Sequence, residues 1–329
     1  MKKLVIQIPC YNEAGTLGAT VQALPRAIPG IDSIEVLIID DGSTDATVEV
    51  ARANGVQHIV SILRNGGLAR AFVAGLEASV QAGADIIVNT DADNQYNADD
   101  IPALVAPILA GKAEIVVGAR PVADIRHFSP IKKMLQALGS WVVRRASDTE
   151  VADAPSGFRA MTRDAAQRLN VFSTYTYTLE TIIQAGSKGM AIVSVPIRVN
   201  GETRPSRLIK SIPRYVLRSV VTILRIFITY RPLRFFATLG ALVFGLGFVF
   251  GARFLYYYAT ERGEGHVQSL ILASMLMSMG FIVGVTGILA DLIAVNRLLL
   301  EQVSWRLRKI EEGLANTRPM DSRRTPPRP

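Results

Sequence analysis

Two aspartates separated by one residue, Asp91 and Asp93, stand just after the apolar run from Ile86 to Asn89. Carboxylates so placed suit a hard divalent cation such as Mg2+, which takes a few carboxylate oxygens and keeps positions for the phosphate oxygens of a substrate. A cation held there would neutralise the charge of a departing diphosphate. The pair alone is a weak signal, because Asp is common in turns. Three more polar clusters follow apolar runs in the same way: Pro9 to Glu13, Asp40 to Asp45 and Gly118 to Arg120. A different chemistry lies downstream, where nine Arg or Lys residues and one acid, Glu202, fall between Arg198 and Arg234. Guanidinium groups match phosphate oxygens in geometry as well as in charge.

These side chains need elements that bring them together. The runs Leu4 to Ile8, Glu35 to Ile39, Asp85 to Asn89 and Glu114 to Val117 alternate with helix-like stretches, the rhythm of an α/β domain on a largely parallel sheet. In such sheets ligands collect at the carboxyl ends of the strands, where all four polar clusters fall. Ser43-Thr44-Asp45 also suits helix capping. Lys2 and Lys3 ahead of Leu4 to Ile8 resemble the opening of a signal peptide, but Pro9 and Tyr11-Asn12-Glu13 end the apolar run too early, and a buried first strand is expected instead.

Hydrophobic residues make up 49% of the 329, high for a soluble protein, and the later segments account for it. Arg207, Lys210, Arg214, Arg218 and Arg225 share one helical stripe, with Leu208, Ile212, Tyr215, Val216, Ile223 and Phe227 as apolar surface, so a helix lying on a membrane is expected. Phe235 to Tyr258 and Ser269 to Ala290 are each long enough to cross the hydrocarbon layer, which takes about 20 helical residues. The loop between them, Thr260 to Gln268, carries one Arg or Lys while both flanks are rich in them, which places the flanks and the N-terminal domain in the cytoplasm. Arg253 lies near the outer end of the first span, within reach of the headgroups. Leu299, Val303, Leu307, Ile310 and Leu314 recur at helical spacing and suit packing on the N-terminal domain or on a second subunit of a homo-oligomer. The expected division is 1–200 for the α/β domain, 201–233 for the interfacial helix, 234–293 for a two-helix hairpin and 294–329 for a cytoplasmic amphipathic helix with a disordered tail from Asn316.

Taken together, Ile8-Pro9-Cys10-Tyr11-Asn12-Glu13, Asp40-Asp41-Gly42-Ser43-Thr44-Asp45 and Asp91-Ala92-Asp93-Asn94-Gln95 resemble the three ordered motifs of family-2 glycosyltransferases. The resemblance implies a GT-A fold, with Pro9, Tyr11, Glu13 and Asp41 lining the nucleoside pocket, Asp93 and Gln95 on a Mg2+ or Mn2+ ion, and Asp91 beside both nucleotide and metal. Gly118-Ala119-Arg120 and the segment Asp153-Ala154-Pro155-Ser156-Gly157-Phe158-Arg159 resemble the branch that holds dolichyl-phosphate mannose synthase and the polyisoprenyl-phosphate glucosyltransferases. That branch implies an inverting transfer from a UDP- or GDP-sugar to a polyprenyl phosphate, undecaprenyl or dolichyl, at the plasma membrane. Asp93, Asp153 and Arg120 become the candidate catalytic residues, and Arg120, Arg204 and Arg207 the candidates for the lipid phosphate. Two readings stand for Arg204 and Arg207, since anionic headgroups attract any such residue by about 1 kcal/mol. Two also stand for Asp153, as a base or as a positioning group. A phosphate monoester is mostly ionised near neutral pH, its second pKa being about 6, so its oxygen attacks without a strong base. In Arg64-Asn65-Gly66-Gly67-Leu68-Ala69-Arg70, relatives often have a Lys, and Arg70 either replaces it on the diphosphate or faces solvent.

Other classes fit less well. Cys10 is the one cysteine, and the three histidines, His58, His127 and His266, are scattered, which disfavours disulfides and zinc. No Gly-x-Gly-x-x-Gly follows the first strand, which disfavours a dinucleotide-binding oxidoreductase. The net charge of +8 invites nucleic acid, but the basic residues adjoin two lipid-spanning segments, which explain them more simply. A processive polysaccharide synthase would carry Gln-x-x-Arg-Trp before its spans, whereas Gln302-Val303-Ser304-Trp305-Arg306 has another order and follows the last span. A catalytically idle scaffold that binds a nucleotide sugar, or a transferase with another membrane acceptor, is the remaining alternative.

Overall fold

The computed structural model describes residues 1–121, 139–141, 143–145, 147–171, 177–200, 228–260 and 267–317, with positions 134, 221, 224 and 225. In chain order the first half runs β1 (Lys3–Cys10), α1 (Ala14–Ala23), β2 (Ser33–Asp40), α2 (Thr47–Ala53), β3 (His58–Ser61), α3 (Leu68–Gln81), β4 (Ile86–Asn89), α4 (Ile101–Leu109) and β5 (Ile115–Ala119). There follow β6 (Arg159–Thr162), α5 (Arg163–Arg168), α6 (Thr178–Ser187), β7 (Ile192–Pro196), α7 (Pro232–Ala259) and α8 (Val267–Thr317).

The strands form one sheet in the order β3-β2-β1-β4-β6-β5-β7. Both faces are covered by helices, so β1 is buried along nearly its whole length and reads as a continuous apolar run. Leu4, Ile6 and Ile8 pack on one side with Leu17 of α1 and Leu104 of α4, while Val5 packs on the other with Phe72 of α3. The alternation follows from the two-residue period of a strand.

Every pairing is parallel except those of β6, which runs antiparallel between β4 and β5. That reversal matters for function. Arg159, the first residue of β6, pairs with Asn89 at the end of β4 and with Val117 near the end of β5. The segment leading into β6 is thereby delivered to the carboxyl ends of its neighbours, where the acidic loop sits. The sequence pattern predicts a largely parallel sheet but not the four-residue β6, which is too short to show a period.

α7 and α8 lie antiparallel as a hairpin, backbone against backbone. A Cβ on Gly240 would come 2.7 Å from the Gly280 carbonyl oxygen, and one on Gly280 would come 2.6 Å from the Phe244 nitrogen. Small residues at such crossings let helices approach closely where no water drives them together. Their outward faces carry Leu242, Phe248, Phe281 and Ile293, each more than 60% exposed. Both expected spans lie inside these helices, and the amphipathic segment after the second span continues it without a break to Thr317. Leu299, Val303, Leu307 and Ile310 are each more than half exposed, so they do not pack on the α/β domain within one chain. Most of the expected interfacial helix at 201–233 and the tail beyond Thr317 lie outside the described residues.

Candidate active site

The first two motifs are laced to each other across the ends of β1 and β2. Asn12, held at φ 55°, donates its backbone N–H to Ser43 Oγ at 2.9 Å and accepts from the Thr44 N–H through Oδ1 at 2.8 Å. Such a left-handed turn suits Asn better than most residues. Thr47 Oγ1 accepts from the Glu13 N–H at 2.9 Å, and Asp45 accepts from the Ala14 N–H at 3.2 Å and the Thr47 N–H at 3.1 Å, so Asp45 serves both helix starts. Pro9 and Glu13 are buried and Tyr11 is 43% exposed at the rim.

Asp41 is 3% exposed, and its two oxygens accept from the Gly66 and Gly67 N–H groups at 2.8 and 2.7 Å. It therefore fixes the glycine loop against the β2 end. Gly42 permits this contact: it has φ 74°, and a Cβ there would meet the Asn65 nitrogen at 2.8 Å. Arg70 is exposed, with its aliphatic stem folded over Gly66.

At the end of β4, Asp93 Oδ1 accepts from the Gln95 N–H at 3.1 Å, and Asn94 adopts φ 55°, which turns the loop back on itself. Asp91 sits deeper. Burial and then the charge of Asp93 push its carboxyl up to about 7, against the opposing pull of Arg120. The segment before β6 comes up against it, since a Cβ on Gly157 would lie 3.3 Å from both Asp91 oxygens. Asp153, 3% exposed, is gripped by Arg120 through Nε at 2.7 Å, Nη2 at 3.1 Å and the backbone N–H at 3.2 Å. A two-pronged grip of this kind both neutralises the carboxylate and orients the guanidinium.

Beneath these groups lies a polar frame that sequence reasoning did not assign. Gln7 Nε2 donates to Asn89 Oδ1 at 2.9 Å, and Asn89 Nδ2 donates to the Gly157 carbonyl at 2.8 Å and to Tyr177 Oη at 2.9 Å. Tyr96 Oη accepts from the Gly157 N–H at 3.0 Å, so both sides of that glycine's backbone are held. Tyr177 stacks on Phe72 with centroids 3.8 Å apart. Arg159, 1% exposed, donates to the carbonyls of Ser156, Ala154 and Thr178 at 2.7–2.8 Å and to Thr181 Oγ1. Burial lowers its pKa to about 10, which still leaves it charged near neutral pH. Arg159 and Gly157 belong to the quoted Asp153–Arg159 segment, but Tyr177 and Asn89 carry no sequence signal.

The exit from β7 closes the site. Asn200 donates its backbone N–H to the Gln95 carbonyl at 2.8 Å and its side-chain amide to the Asn94 carbonyl at 2.9 Å. Arg198 pairs with Asp100 at 2.7 Å just outside. Arg204 and Arg207 lie outside the described residues, a few positions past this splice.

With all of its acidic motifs gathered at one sheet edge, the chain can be compared with known proteins. Glycosyl transferase family 2 matches residues 5–169, a stretch that runs from the third residue of β1 to just past α5. The chain belongs to glycosyl transferase family 2. An undecaprenyl-phosphate mannosyltransferase of Micrococcus luteus is 28% identical to this glycosyltransferase over 220 residues, 63% of this chain and 88% of that one. A UDP-N-acetylglucosamine–dolichyl-phosphate N-acetylglucosaminyltransferase of Methanococcus voltae is 30% identical over 219 residues, 60% of this chain and 85% of that one. Among solved structures, glucosyl-3-phosphoglycerate synthase from Mycobacterium tuberculosis, in complex with Mn2+, UDP and phosphoglyceric acid, is similar with a TM-score of 0.53 at 21% identity, covering 68% of this chain and 78% of that one. The fold of this glycosyltransferase is GT-A, with two apolar C-terminal helices.

The residues present fit a divalent cation of the Mg2+ type. Among the described residues no three His, Cys, Asp or Glu side chains gather to enclose an ion. Mg2+ needs no such cage, since it binds through one or two carboxylates and fills its shell with waters and substrate phosphates. Burial and then the charge of Asp93 raise Asp91, and a cation held by this pair would offset the second of these.

Proposed function

We propose that this glycosyltransferase transfers a sugar from a UDP- or GDP-sugar to a polyprenyl phosphate, undecaprenyl or dolichyl, at the cytoplasmic face of the plasma membrane, with inversion at the anomeric carbon. The observation that carries this reading is the Asn200 splice. It ties the Asp93–Tyr96 loop to the chain just before the basic stretch that leads into the hairpin. A donor site joined in this way to a membrane anchor suits an acceptor whose phosphate sits at the bilayer surface. The two relatives, named for undecaprenyl and dolichyl phosphate acceptors, support the same class.

In this reading Pro9, Tyr11 and Glu13 line the nucleoside pocket, and Asp41 shapes it by holding the Gly66–Gly67 loop. Asp91, Asp93 and Gln95 hold Mg2+ or Mn2+. When bound, the cation offsets the charge of the leaving nucleoside diphosphate. Arg120, with Arg204 and Arg207, receives the lipid phosphate. A phosphate oxygen attacks the anomeric carbon from the face opposite the leaving group. The bond from that carbon to the diphosphate oxygen breaks, and its electron pair departs with the nucleoside diphosphate. Asp153 acts as a positioning group, because its carboxylate is already spent on Arg120, and the ionised acceptor needs no strong base. Catalysis comes from orientation and charge placement.

The test is label transfer from a panel of UDP- and GDP-sugars to a short polyprenyl phosphate, using full-length protein with Mg2+ or Mn2+. One donor is expected to give a metal-dependent, organic-soluble product that Asp93→Asn fails to make. Donor binding without product from any donor would overturn the acceptor and leave the scaffold or another acceptor.

A further inference from the structure

Arg297 and Glu301 stand one turn apart on α8, where the hairpin meets the catalytic domain. Arg297 Nε donates to Glu301 Oε1 at 3.0 Å, and its Nη2 donates to Tyr230 Oη at 3.1 Å and lies 3.7 Å from Glu180 Oε1. Tyr230 in turn donates to Glu180 at 2.8 Å and accepts from Gln184 at 3.3 Å. Lys188 Nζ lies 2.8 Å from Glu301 Oε2, an ion pair by distance without hydrogen-bond alignment. The side chains of Glu301, Glu180 and Lys188 are only 6–13% exposed, and Arg297 is 27% exposed.

Three separate pieces of chain meet in this cluster. Tyr230 stands two residues before α7, Arg297 and Glu301 belong to α8, Glu180 and Gln184 belong to α6, and Lys188 follows its last residue. Two cations oppose two carboxylates, so the cluster is balanced in charge. An apolar joint tolerates sliding, whereas buried charges at fixed spacing favour one register. The first turn of α6 also carries Thr178 and Thr181, which hold Arg159, and is preceded by Tyr177, which holds Asn89. The same helix thus meets the hairpin along the face that carries Glu180 and Gln184 and holds the frame of the active site from its first turn.

We propose that this cluster is a registration lock, in which Arg297, Glu301 and Lys188 are positioning residues that keep the catalytic domain at one height and angle over the bilayer. The site mouth beside Asp93 and Asn200 then meets a phosphate whose chain remains in the membrane. This rests on the polyprenyl-phosphate reading above. A short acceptor free in solution reaches the site at any domain angle, and an acceptor anchored in a bilayer does not.

The experiment compares full-length wild type with Arg297→Met/Glu301→Met, which removes one charge of each sign and leaves Lys188 and Glu180 to balance one another. In proteoliposomes with a long-chain polyprenyl phosphate, kcat/KM is expected to fall about tenfold or more, while a short-chain acceptor in solution changes by less than about twofold. An unchanged thermal shift on adding Mn2+ with UDP reports that the variant is folded. Equal losses with both acceptors, or no loss with either, would overturn the lock. A second measurement needs no turnover: the distance distribution between spin labels at Glu77→Cys on α3 and Thr260→Cys at the far end of α7, the native Cys10 being 2% exposed. It is expected to be narrow in the wild-type background and broad in the double variant, and an unchanged width sinks the lock whatever the activity. Absence of lipid product from the wild type would strike the acceptor reading, and the label distances would still decide the lock.

Discussion

Asp93 and Asp153 are both aspartates at strand ends, yet their surroundings assign them different fates on substitution. Asp93 is part exposed and shapes a loop, so Asp93→Asn should lower metal-dependent transfer by roughly 10²–10³-fold while leaving the thermal midpoint nearly unchanged. Asp153 is buried against Arg120, and breaking a buried pair from one side costs about 3 kcal/mol or more. Asp153→Asn should therefore lower the midpoint by about 5–10 °C as well as the rate. Thermal scans of purified variants separate the two, and a fully stable Asp153→Asn without activity would return Asp153 to the role of base. Arg159→Met tests the frame beneath. It strips a donor from three carbonyls and a hydroxyl, each worth about 1–3 kcal/mol when left unpaired in the interior. Loss of soluble, folded protein is the expected outcome, and normal expression with a normal thermal midpoint would contradict it. The acidic residues were legible in the sequence because their types and their position after apolar runs carry the chemistry. Tyr177 and Asn89 were not, because they lie 88 residues apart and neither is unusual in its own neighbourhood.

At the scale of elements, the strand ends were legible and the return path was not. β1, β2, β4 and β5 announce themselves as apolar runs closed by polar clusters, which is how a two-sided sheet must read. β6 has only four residues, and nothing local distinguishes an antiparallel insertion from another parallel strand. Its direction nevertheless decides the site, since it brings Gly157 under Asp91. Gly157→Ala places a Cβ 3.3 Å from both Asp91 oxygens and 3.0 Å from Tyr177 Oη, in a segment clamped by Asn89 and Tyr96. The neighbours must then give by a few tenths of an ångström, and displacement of the acidic loop is expected to cost transfer about 10–10²-fold. Donor affinity from titration beside the turnover rate checks this. Unaltered kinetics would mean that Asp91 has room to move without consequence. The hairpin was legible by length and hydropathy, but its seam was not, because glycines at Gly240 and Gly280 mark close approach only once the partner helix is known.

The whole molecule joins a sheet with its acidic loops to two helices long and apolar enough to cross a membrane, so the proposed function requires a particular orientation. At about 1.5 Å per residue, the 28 residues of α7 span roughly 42 Å, enough to carry the chain after Ala259 across a hydrocarbon core of about 30 Å. The stretch from Thr260 to Gln268 holds one Arg or Lys, whereas Arg225, Arg231 and Arg234 precede the first span and Arg297, Arg306 and Arg308 follow the second. In the proposed reading this imbalance would retain both flanks in the cytoplasm, and with them the sheet edge where Asp91 and Asp93 would meet a cytosolic nucleotide sugar. Arg253 fits the same arrangement, since it is exposed one turn from Tyr257, with its guanidinium 5.7 Å from that ring, close enough to the outer end for its charge to reach the headgroups. A membrane-impermeant maleimide should accordingly label Thr260→Cys in intact cells and Glu77→Cys only after permeabilisation. Labelling in the opposite order would put the donor site on the side without nucleotide sugars and would overturn the cytoplasmic reading. Labelling of both without permeabilisation would mean that α7 and α8 lie along the membrane instead of crossing it.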